Sequence, residues 1–223
     1  MSAERDQFNP FGPGTRALLG LVVARIALVE PVSVCLPGVV GLRRLRYPLG
    51  TNVTPDDLVT LREIEQLKYR YLRTLDLKDW DRFAEVFEPD ATGSYGPGLR
   101  FDSAAEIVAF MRESLEPDII TVHQVHHPEV TLSGLGERSG DWPGDWAGRM
   151  AAGTWMLMDR VIAVSHGVLI EGAAVYRDDD HCGSDGRWRI ARTGYERIYE
   201  STMSLADVPS WKLTANRFAV GTP

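Results

Sequence analysis

The sequence contains only two cysteines, Cys35 and Cys182, among its 223 residues. Two thiols are too few for a disulfide framework or a cysteine-rich metal cluster, so they indicate a reducing compartment, and we predict a cytoplasmic protein. Basic side chains are also scarce relative to acidic ones, and the formal net charge is −7 at pH 7. Because nucleic-acid phosphates are bound by basic surfaces, this charge argues against a nucleic-acid partner.

The first 52 residues lack the long uncharged run that a membrane-spanning helix needs. Their apolar stretch contains Arg25 and Glu30 and two prolines, whereas a spanning helix requires about 20 mostly apolar residues. The segment holds six Arg and three Asp or Glu, so it carries +3 and the rest of the chain carries −10. We predict that residues 1–52 form a poorly ordered leader, and one hypothesis is that the natural start lies at Val53. A secretory signal or membrane anchor is the less favoured alternative.

The residues from 53 to 205 are predicted to form one α+β domain, followed by a C-terminal tail at 206–223. Apolar residues recur at three- and four-residue steps from Thr54 to about residue 76, and two shorter helical segments follow. Segments rich in branched and aromatic residues then indicate long strands. Three N-terminal helices packed on a strongly curved antiparallel sheet would form a cone-shaped α+β barrel with a pocket inside.

Three of the five histidines fall within the ten residues "TVHQVHHPEV", at positions 123, 126 and 127. In a regular strand, His123 and His127 lie on one face and His126 lies on the other. The three side chains therefore cannot converge on a metal ion without a further ligand, and we predict no metal site. His126 and His127 are explained more simply as hydrogen-bonded or exposed side chains. This leaves His123 as the candidate catalytic histidine.

Two carboxylates interrupt apolar patterns that otherwise predict buried faces. Asp76 lies among leucines at the end of the first helix, and Asp159 is in phase with Trp155 in a predicted strand. Burying a carboxylate is costly unless it is paired or functional. Each position also has a simpler explanation, since Asp76 could cap the helix end. Tyr71, on the apolar helix stripe, and Tyr95, at a strand–turn boundary, could equally be core residues.

In order along the chain, these residues resemble the pattern of a known family. The segments "LREIEQLKYRYLRTLDLKDWDRFAEVF", "SYGPGLRFDSAAEIVAFM", "TVHQVHHPEVTL", "GTWMLMDRVI" and "GRWRIARTGYERIYE" look like the SnoaL-like branch of the nuclear transport factor 2-like superfamily, over about residues 56–205. The closest likeness is to the bile-acid 7α-dehydratases, and the fungal scytalone dehydratases are more distant. The resemblance implies a homo-oligomer, either trimer or dimer, that needs no metal and no organic cofactor.

The resemblance also implies roles for individual residues. His123, paired with Asp76, would remove a proton next to a carbonyl group, and Tyr71 would hold the developing enolate oxygen. Asp159 or Tyr95 would assist the departing hydroxyl group. The catalytic set is therefore Tyr71, Asp76, His123 and Asp159, and we assign substrate binding to Tyr95, Trp155, His127 and Arg197.

The resulting prediction is a cofactor-independent dehydratase, a lyase acting on a hydrophobic, steroid-like or polycyclic oxo/hydroxy substrate whose oxo group could belong to a thioester. A related isomerase or polyketide-type cyclase would use the same base, and a non-catalytic binding protein would keep the fold without the chemistry. The spacing of Tyr71 and Asp76 raises a difficulty, because five residues turn about 140° around a helix. The loop at 134–149 is longer than the resemblance leads us to expect.

Overall fold

A computed structural model of the protein describes residues 54–96, 98–133 and 149–219. These residues belong to one compact unit, which begins at Thr51. The predicted leader at 1–52, the hypothetical start at Val53 and nearly all of the loop at 134–149 lie outside the described residues.

In the described residues, three helices precede the long strands: α1 (Pro55–Leu77), α2 (Trp80–Ala84) and α3 (Ala104–Ser114). The α1 helix begins at Thr54, whose hydroxyl accepts a hydrogen bond from the Asp57 backbone while the Asp57 carboxylate accepts one from the Thr54 backbone. This reciprocal pair satisfies two backbone donors at the helix start. The helix stays regular to its end, where Lys78 takes a left-handed conformation with φ of 58°.

Within the part of the chain that the structure describes, six strands form one sheet: β1 (Phe87–Ser94), β2 (Arg100–Phe101), β3 (Ile119–Leu132), β4 (Met150–Ala163), β5 (Val168–Cys182) and β6 (Trp188–Ser204). Their order is β2-β1-β6-β5-β4-β3. The helices pack on this sheet, so the predicted cone-like α+β fold is confirmed. The sheet is mixed rather than antiparallel throughout, because β1 runs parallel to β6. The other pairings are antiparallel: β2 with β1, β6 with β5, β5 with β4, and β4 with β3.

The β1 strand begins where the sequence pattern predicts the end of a helix. The segment "WDRFAEVF" reads as one helix up to Phe87, whereas α2 ends at Ala84 and β1 begins at Phe87. Pro89 has no backbone N–H for a regular ladder, and the β1–β6 register shifts between Phe87 and Thr92. Beyond this irregularity the strands approach closely. A Cβ added at Gly194 would lie 2.4 Å from the Ser94 carbonyl oxygen, so only glycine fits there.

The core lies between the helices and one face of the sheet. Ile64, Leu67 and Tyr71 of α1 are fully buried, as are Trp155 and Leu157 of β4. Burial at three- and four-residue steps along α1 matches the apolar pattern from which that helix was predicted. The same packing lays the C-terminal end of α1 against β3. A side chain at this end of α1 can therefore meet the histidines of β3.

A bulge in β3 changes which histidines face the core. His126 pairs with Met156 and Glu129 with Thr154, so β3 contains one more residue than β4 over this stretch. His127, with φ of 51°, lies inside the irregularity and is followed by Pro128, which cannot donate to the ladder. Regular alternation placed His127 on the face of His123. The bulge overturns that prediction. Before it, the odd-numbered residues of β3 face the core, and after it the even-numbered residues do.

Candidate active site

Asp76 and His123 are in direct contact. His123 Nδ1 lies 2.6 Å from Asp76 Oδ1, and the His123 backbone N–H donates to Asp76 Oδ2 at 2.8 Å. The Thr121 hydroxyl donates to the same carboxylate at 2.8 Å. Thr121 was not singled out in the sequence. It lies two residues before His123 and thus on the same strand face.

The end of α1 holds this pair in place. The Lys78 ammonium group donates to the Ile119 carbonyl at 2.9 Å, which ties the end of α1 to the start of β3. The side chains of His123 and Asp76 are 13% and 18% exposed, so a ligand can approach them. With Nδ1 engaged by the carboxylate, Nε2 is the nitrogen that can face a substrate. Such a hydrogen bond fixes the ring orientation and the tautomer.

Asp159 lies beside His123 but is held by an arginine. The two residues are register partners across β3 and β4. Arg197 donates two hydrogen bonds to the Asp159 carboxylate, at 2.5 and 2.8 Å, and its Nε atom lies 3.2 Å from Glu200. Burial lowers the pKa of Arg197, but the Asp159 hydrogen bonds, together with the charges of Tyr195, Asp159 and Glu200, outweigh this effect and hold the pKa above its usual value. Sequence reasoning named both residues without pairing them.

Gly172 makes room for this ion pair, and we expect Gly172→Ala to disrupt it. An added Cβ would lie 2.5 Å from a guanidinium nitrogen of Arg197 and 3.0 Å from Asp159 Oδ1. Overpacking of this kind costs about 1–3 kcal/mol of unfolding free energy, which thermal denaturation can measure. In an Arg197→Ala background the same glycine substitution should cost less, since the crowded nitrogen is gone. Equal costs in the two backgrounds would contradict the assignment.

The hydroxyl groups of three buried tyrosines meet at Tyr71, which precedes Asp76 on α1. Tyr71 Oη lies 3.0 Å from Tyr95 Oη and 3.5 Å from Tyr176 Oη. We call Tyr71, Tyr95 and Tyr176 the tyrosine triad. Burial, reinforced by the neighbouring phenols, raises the pKa of each triad member well above the usual value. The three phenols are therefore protonated at neutral pH and serve as hydrogen-bond donors.

The 140° between Tyr71 and Asp76 explains why they belong to two groups. Because α1 remains helical to Leu77, the two side chains point in different directions. Tyr71 meets the other two tyrosines of the triad, and Asp76 meets β3. The end of this helix is not frayed. Tyr195 extends the aromatic group, with ring centroids 5.2 Å from Tyr176 and 5.7 Å from Tyr95.

A buried ion pair adjoins the tyrosine triad and was missed in the sequence. Lys68 Nζ lies 2.9 Å from Asp178 Oδ2, and the Thr193 hydroxyl donates to Asp178 at 2.7 Å. Burial lowers the pKa of Lys68, and Asp178 opposes that shift. The sequence does indicate that Lys68 is buried, because it lies on the same apolar helix face as Ile64, Leu67 and Tyr71.

Asp180 is buried close to this pair, and we expect Asp180→Asn to stabilise the protein at neutral pH. Burial, followed by repulsion from Asp178, raises the pKa of Asp180 well above the usual value. Because the pKa of Asp180 is higher in the folded than in the unfolded protein, the folded state resists losing this proton. The wild type therefore loses stability as the pH rises from the unfolded-state pKa through the folded-state pKa. Asparagine does not titrate, so the melting-temperature advantage of the variant should grow from pH 4 to pH 8. The control is Asp179→Asn, because the Asp179 carboxylate of the wild type accepts a hydrogen bond from Arg192. An advantage that stays constant with pH would contradict this prediction.

The remaining predicted substrate-binding residues lie apart from the Asp76–His123 pair. Trp155 is 1% exposed and packs edge-to-face with Tyr69 at a centroid distance of 6.3 Å. His127 is exposed and its ring lies 4.6 Å from that of His126. Their assignment to substrate binding stays a prediction. Among the described residues, no group of three or more His, Cys, Asp or Glu side chains is arranged to hold a metal ion.

Comparison with known proteins identifies the family. A model of the SnoaL-like domain matches residues 56–194, more than half of the chain. The chain belongs to the SnoaL-like family. This membership confirms the family predicted from the sequence, whereas a closest likeness to bile-acid 7α-dehydratases stays a prediction.

Solved structures share the SnoaL-like fold of this chain. A hexachlorocyclohexane dehydrochlorinase, LinA type 2, aligns at 18% identity over 66% of this chain and 91% of its own, with a TM-score of 0.54. A candidate scytalone dehydratase from Novosphingobium aromaticivorans aligns at 16% identity over 75% of this chain and 97% of its own, with a TM-score of 0.53. At these identities the likeness concerns the fold. In the described part of the chain, no helix has both the length and the apolar character to cross a membrane.

Proposed function

We propose that this SnoaL-like protein is a cofactor-independent lyase that removes water from a hydrophobic, steroid-like or polycyclic oxo/hydroxy substrate. The observation that carries the proposal is the 2.6 Å contact between Asp76 and His123. An oriented imidazole with one ring nitrogen available for substrate is a suitable general base. Two structural neighbours, a dehydrochlorinase and a candidate dehydratase, are named for elimination reactions, which supports this reaction class.

In the proposed reaction, His123 acts first as base and then as acid. Nε2 takes the proton from the carbon next to the substrate carbonyl, and the C–H electrons form an enolate while Asp76 stabilises the imidazolium. The enolate then expels the hydroxyl group on the adjacent carbon as the new double bond forms. The imidazolium returns its proton to that group, water leaves, and neutral His123 is regenerated.

This mechanism changes the role that the sequence suggested for Asp159. Both oxygens of the Asp159 carboxylate accept hydrogen bonds from the Arg197 guanidinium, so this carboxylate is directed at Arg197 rather than at the departing hydroxyl group. We therefore propose that Asp159 positions Arg197, whose side chain is 26% exposed and whose charge can steady the departing hydroxyl group. Asp159 becomes a positioning residue in this proposal.

The proposal can be tested with a panel of hydroxylated oxo-steroids and polycyclic ketones, followed by absorbance and mass spectrometry. A product lighter by one water, formed by the wild type and lost in His123→Asn, supports the lyase. A changed absorbance at constant mass would instead identify an isomerase or cyclase. Ligand-induced thermal stabilisation with no chemical change across the panel would identify a binding protein.

We also propose that the protein forms a homo-oligomer, either a trimer or a dimer, through the outer face of the sheet. Val122, Met158 and Tyr199 are 47%, 41% and 47% exposed there, and apolar side chains on an open sheet face are costly in water. Light scattering at micromolar concentration should give a multiple of the 24.8 kDa chain mass. A Met158→Lys variant should shift the mass toward the monomer. A monomeric wild type would contradict the proposal.

A further inference from the structure

Thr121 is a buried residue of β3 whose hydroxyl group meets the carboxylate of the Asp76–His123 pair. It is 4% exposed, and its hydroxyl donates to Asp76 Oδ1 at 2.8 Å. Valine has nearly the same shape as threonine and is equally suited to a strand, whereas a buried hydroxyl is costly unless it is hydrogen-bonded. Neither strand formation nor packing requires a hydroxyl at this position, so its contact with Asp76 indicates a role in the site.

The Asp76 carboxylate is oriented by His123 even without Thr121. β3 is the last strand in the sheet order, and its outer edge pairs with no other strand of the described residues. On this edge the His123 backbone N–H donates to Asp76 Oδ2 at 2.8 Å, and the ring atom Nδ1 lies 2.6 Å from Oδ1. One residue thus contacts both carboxylate oxygens, and loss of the Thr121 hydroxyl would leave both contacts in place.

The Thr121 hydroxyl and the His123 ring share one oxygen atom, Asp76 Oδ1. A carboxylate oxygen can accept more than one hydrogen bond, but each donor draws charge from it. With Thr121 bound, Oδ1 therefore attracts the Nδ1 proton of His123 less strongly. An imidazolium that Asp76 holds less strongly gives up its Nε2 proton more readily.

The proposed elimination requires the imidazolium to give up this proton. A hydroxyl group leaves carbon poorly until it receives a proton, and His123 supplies that proton in the proposed reaction. A leaving group that departs as a stable anion, such as acetate, needs no proton. A pair without the threonine hydroxyl would still remove the proton from carbon, but it would protonate a departing hydroxyl less well.

We propose that Thr121 is a positioning residue that acts through Asp76 and fits the Asp76–His123 pair to a hydroxyl leaving group. It does so by sharing Asp76 Oδ1 with the imidazole. The catalytic consequence rests on the proposed function. The effect of the hydroxyl on the Asp76–His123 hydrogen bond does not, so it can be measured in the free protein.

The first measurement is the nitrogen-15 NMR resonance of His123 Nδ1 in the free protein, with the imidazole neutral. It is detected through the carbon-bound ring protons and assigned by its loss in His123→Asn. Thr121→Val removes the hydroxyl and keeps the shape, whereas Thr121→Ser keeps the hydroxyl. The matched control is Thr131→Val, at an exposed threonine of the same strand.

We expect the Nδ1 resonance to move downfield in Thr121→Val, because Oδ1 then forms a stronger hydrogen bond with the ring N–H group. Thr121→Ser and Thr131→Val should give the wild-type resonance. An unchanged or upfield resonance in Thr121→Val would overturn the proposal. Circular dichroism establishes that each variant is folded, and Thr121→Ala, which removes the same hydroxyl, replaces a valine variant that does not fold.

The second measurement compares two substrates that differ only in the leaving group. One is a β-hydroxy ketone that the wild type dehydrates, and the other is its β-acetoxy analogue. In Thr121→Val, kcat for the hydroxy substrate should fall about tenfold, the scale of one charge-assisted hydrogen bond, with KM unchanged. For the acetoxy analogue kcat should not fall. Thr121→Ser should restore wild-type rates with both substrates.

The two measurements separate the possible failures. An equal loss of kcat for both leaving groups would show a purely structural role for Thr121 and overturn the proposal. A downfield Nδ1 resonance in Thr121→Val, together with no elimination product across the ketone panel, would overturn the lyase proposal while supporting the effect of Thr121 on the Asp76–His123 pair.

Discussion

Replacing His123 with alanine should lower kcat for the elimination by about 10²–10⁴-fold, the range contributed by a positioned base or acid. The expected loss is large because the proposal uses the same imidazole for both proton transfers. Asp76 fixes that imidazole through a 2.6 Å contact and also accepts from the His123 backbone. Asp76→Asn should therefore lower kcat as well, because an amide cannot stabilise the imidazolium by charge.

The neighbouring histidine provides the control for this measurement. His126 is exposed and pairs with Met156 on β4, on the far side of the β3 pleat from His123. Steady-state rates for His126→Ala should stay close to those of the wild type. If His126→Ala were as damaging as His123→Ala, the wrong histidine would have been chosen. Full turnover by His123→Ala would discard the histidine-base mechanism despite the observed geometry.

The Asp76–His123 contact could be anticipated because both residues break simple patterns. Asp76 is a carboxylate among leucines near a helix end, and His123 is in a strand that the sequence predicts correctly. The starts of α1 and α3 were also readable, since Thr54 and Ser103 each accept a hydrogen bond from a backbone N–H three residues later. These signals are local, and local capping and periodicity determine where such elements begin and end.

The bulges in β3 and β6 could not be read from periodicity. In β6, Ala173 pairs with Tyr199 and Ala174 with Arg197, so Ile198 is an extra residue. This bulge lets Arg197 face inward to Asp159 while Tyr199 faces outward. A two-residue period predicts the same face for both residues. Bulges depend on how neighbouring strands accommodate each other, which one strand's pattern does not contain.

The Lys68–Asp178 pair escaped prediction for a different reason. A lysine in an apolar helix phase is ordinarily explained by its stem lying along the core while its charge reaches water. Only the β5–β6 register shows that Asp178, paired with Thr193, lies where it can hold the ammonium. The partner is more than a hundred residues away in sequence. Pairing at that separation is set by tertiary packing rather than by local pattern.

Replacing Lys68 alone with methionine should lower the free energy of unfolding by about 3–5 kcal/mol, the usual cost of leaving one member of a buried ion pair unpaired. Methionine nearly matches the lysine stem, so the loss reports the stranded Asp178 carboxylate rather than a cavity. Neutralising that carboxylate as well should recover most of the loss, because asparagine can still accept from Thr193.

Urea denaturation of the two single variants and the double variant gives the coupling free energy directly. The double variant should be more stable than Lys68→Met alone. The regained free energy of unfolding measures the cost of the stranded Asp178 carboxylate. The ammonium charge beside the tyrosine rings stays absent in the double variant, so that charge does not contribute to the regained stability. A double variant no more stable than Lys68→Met would show that the ammonium contributes through contacts other than Asp178.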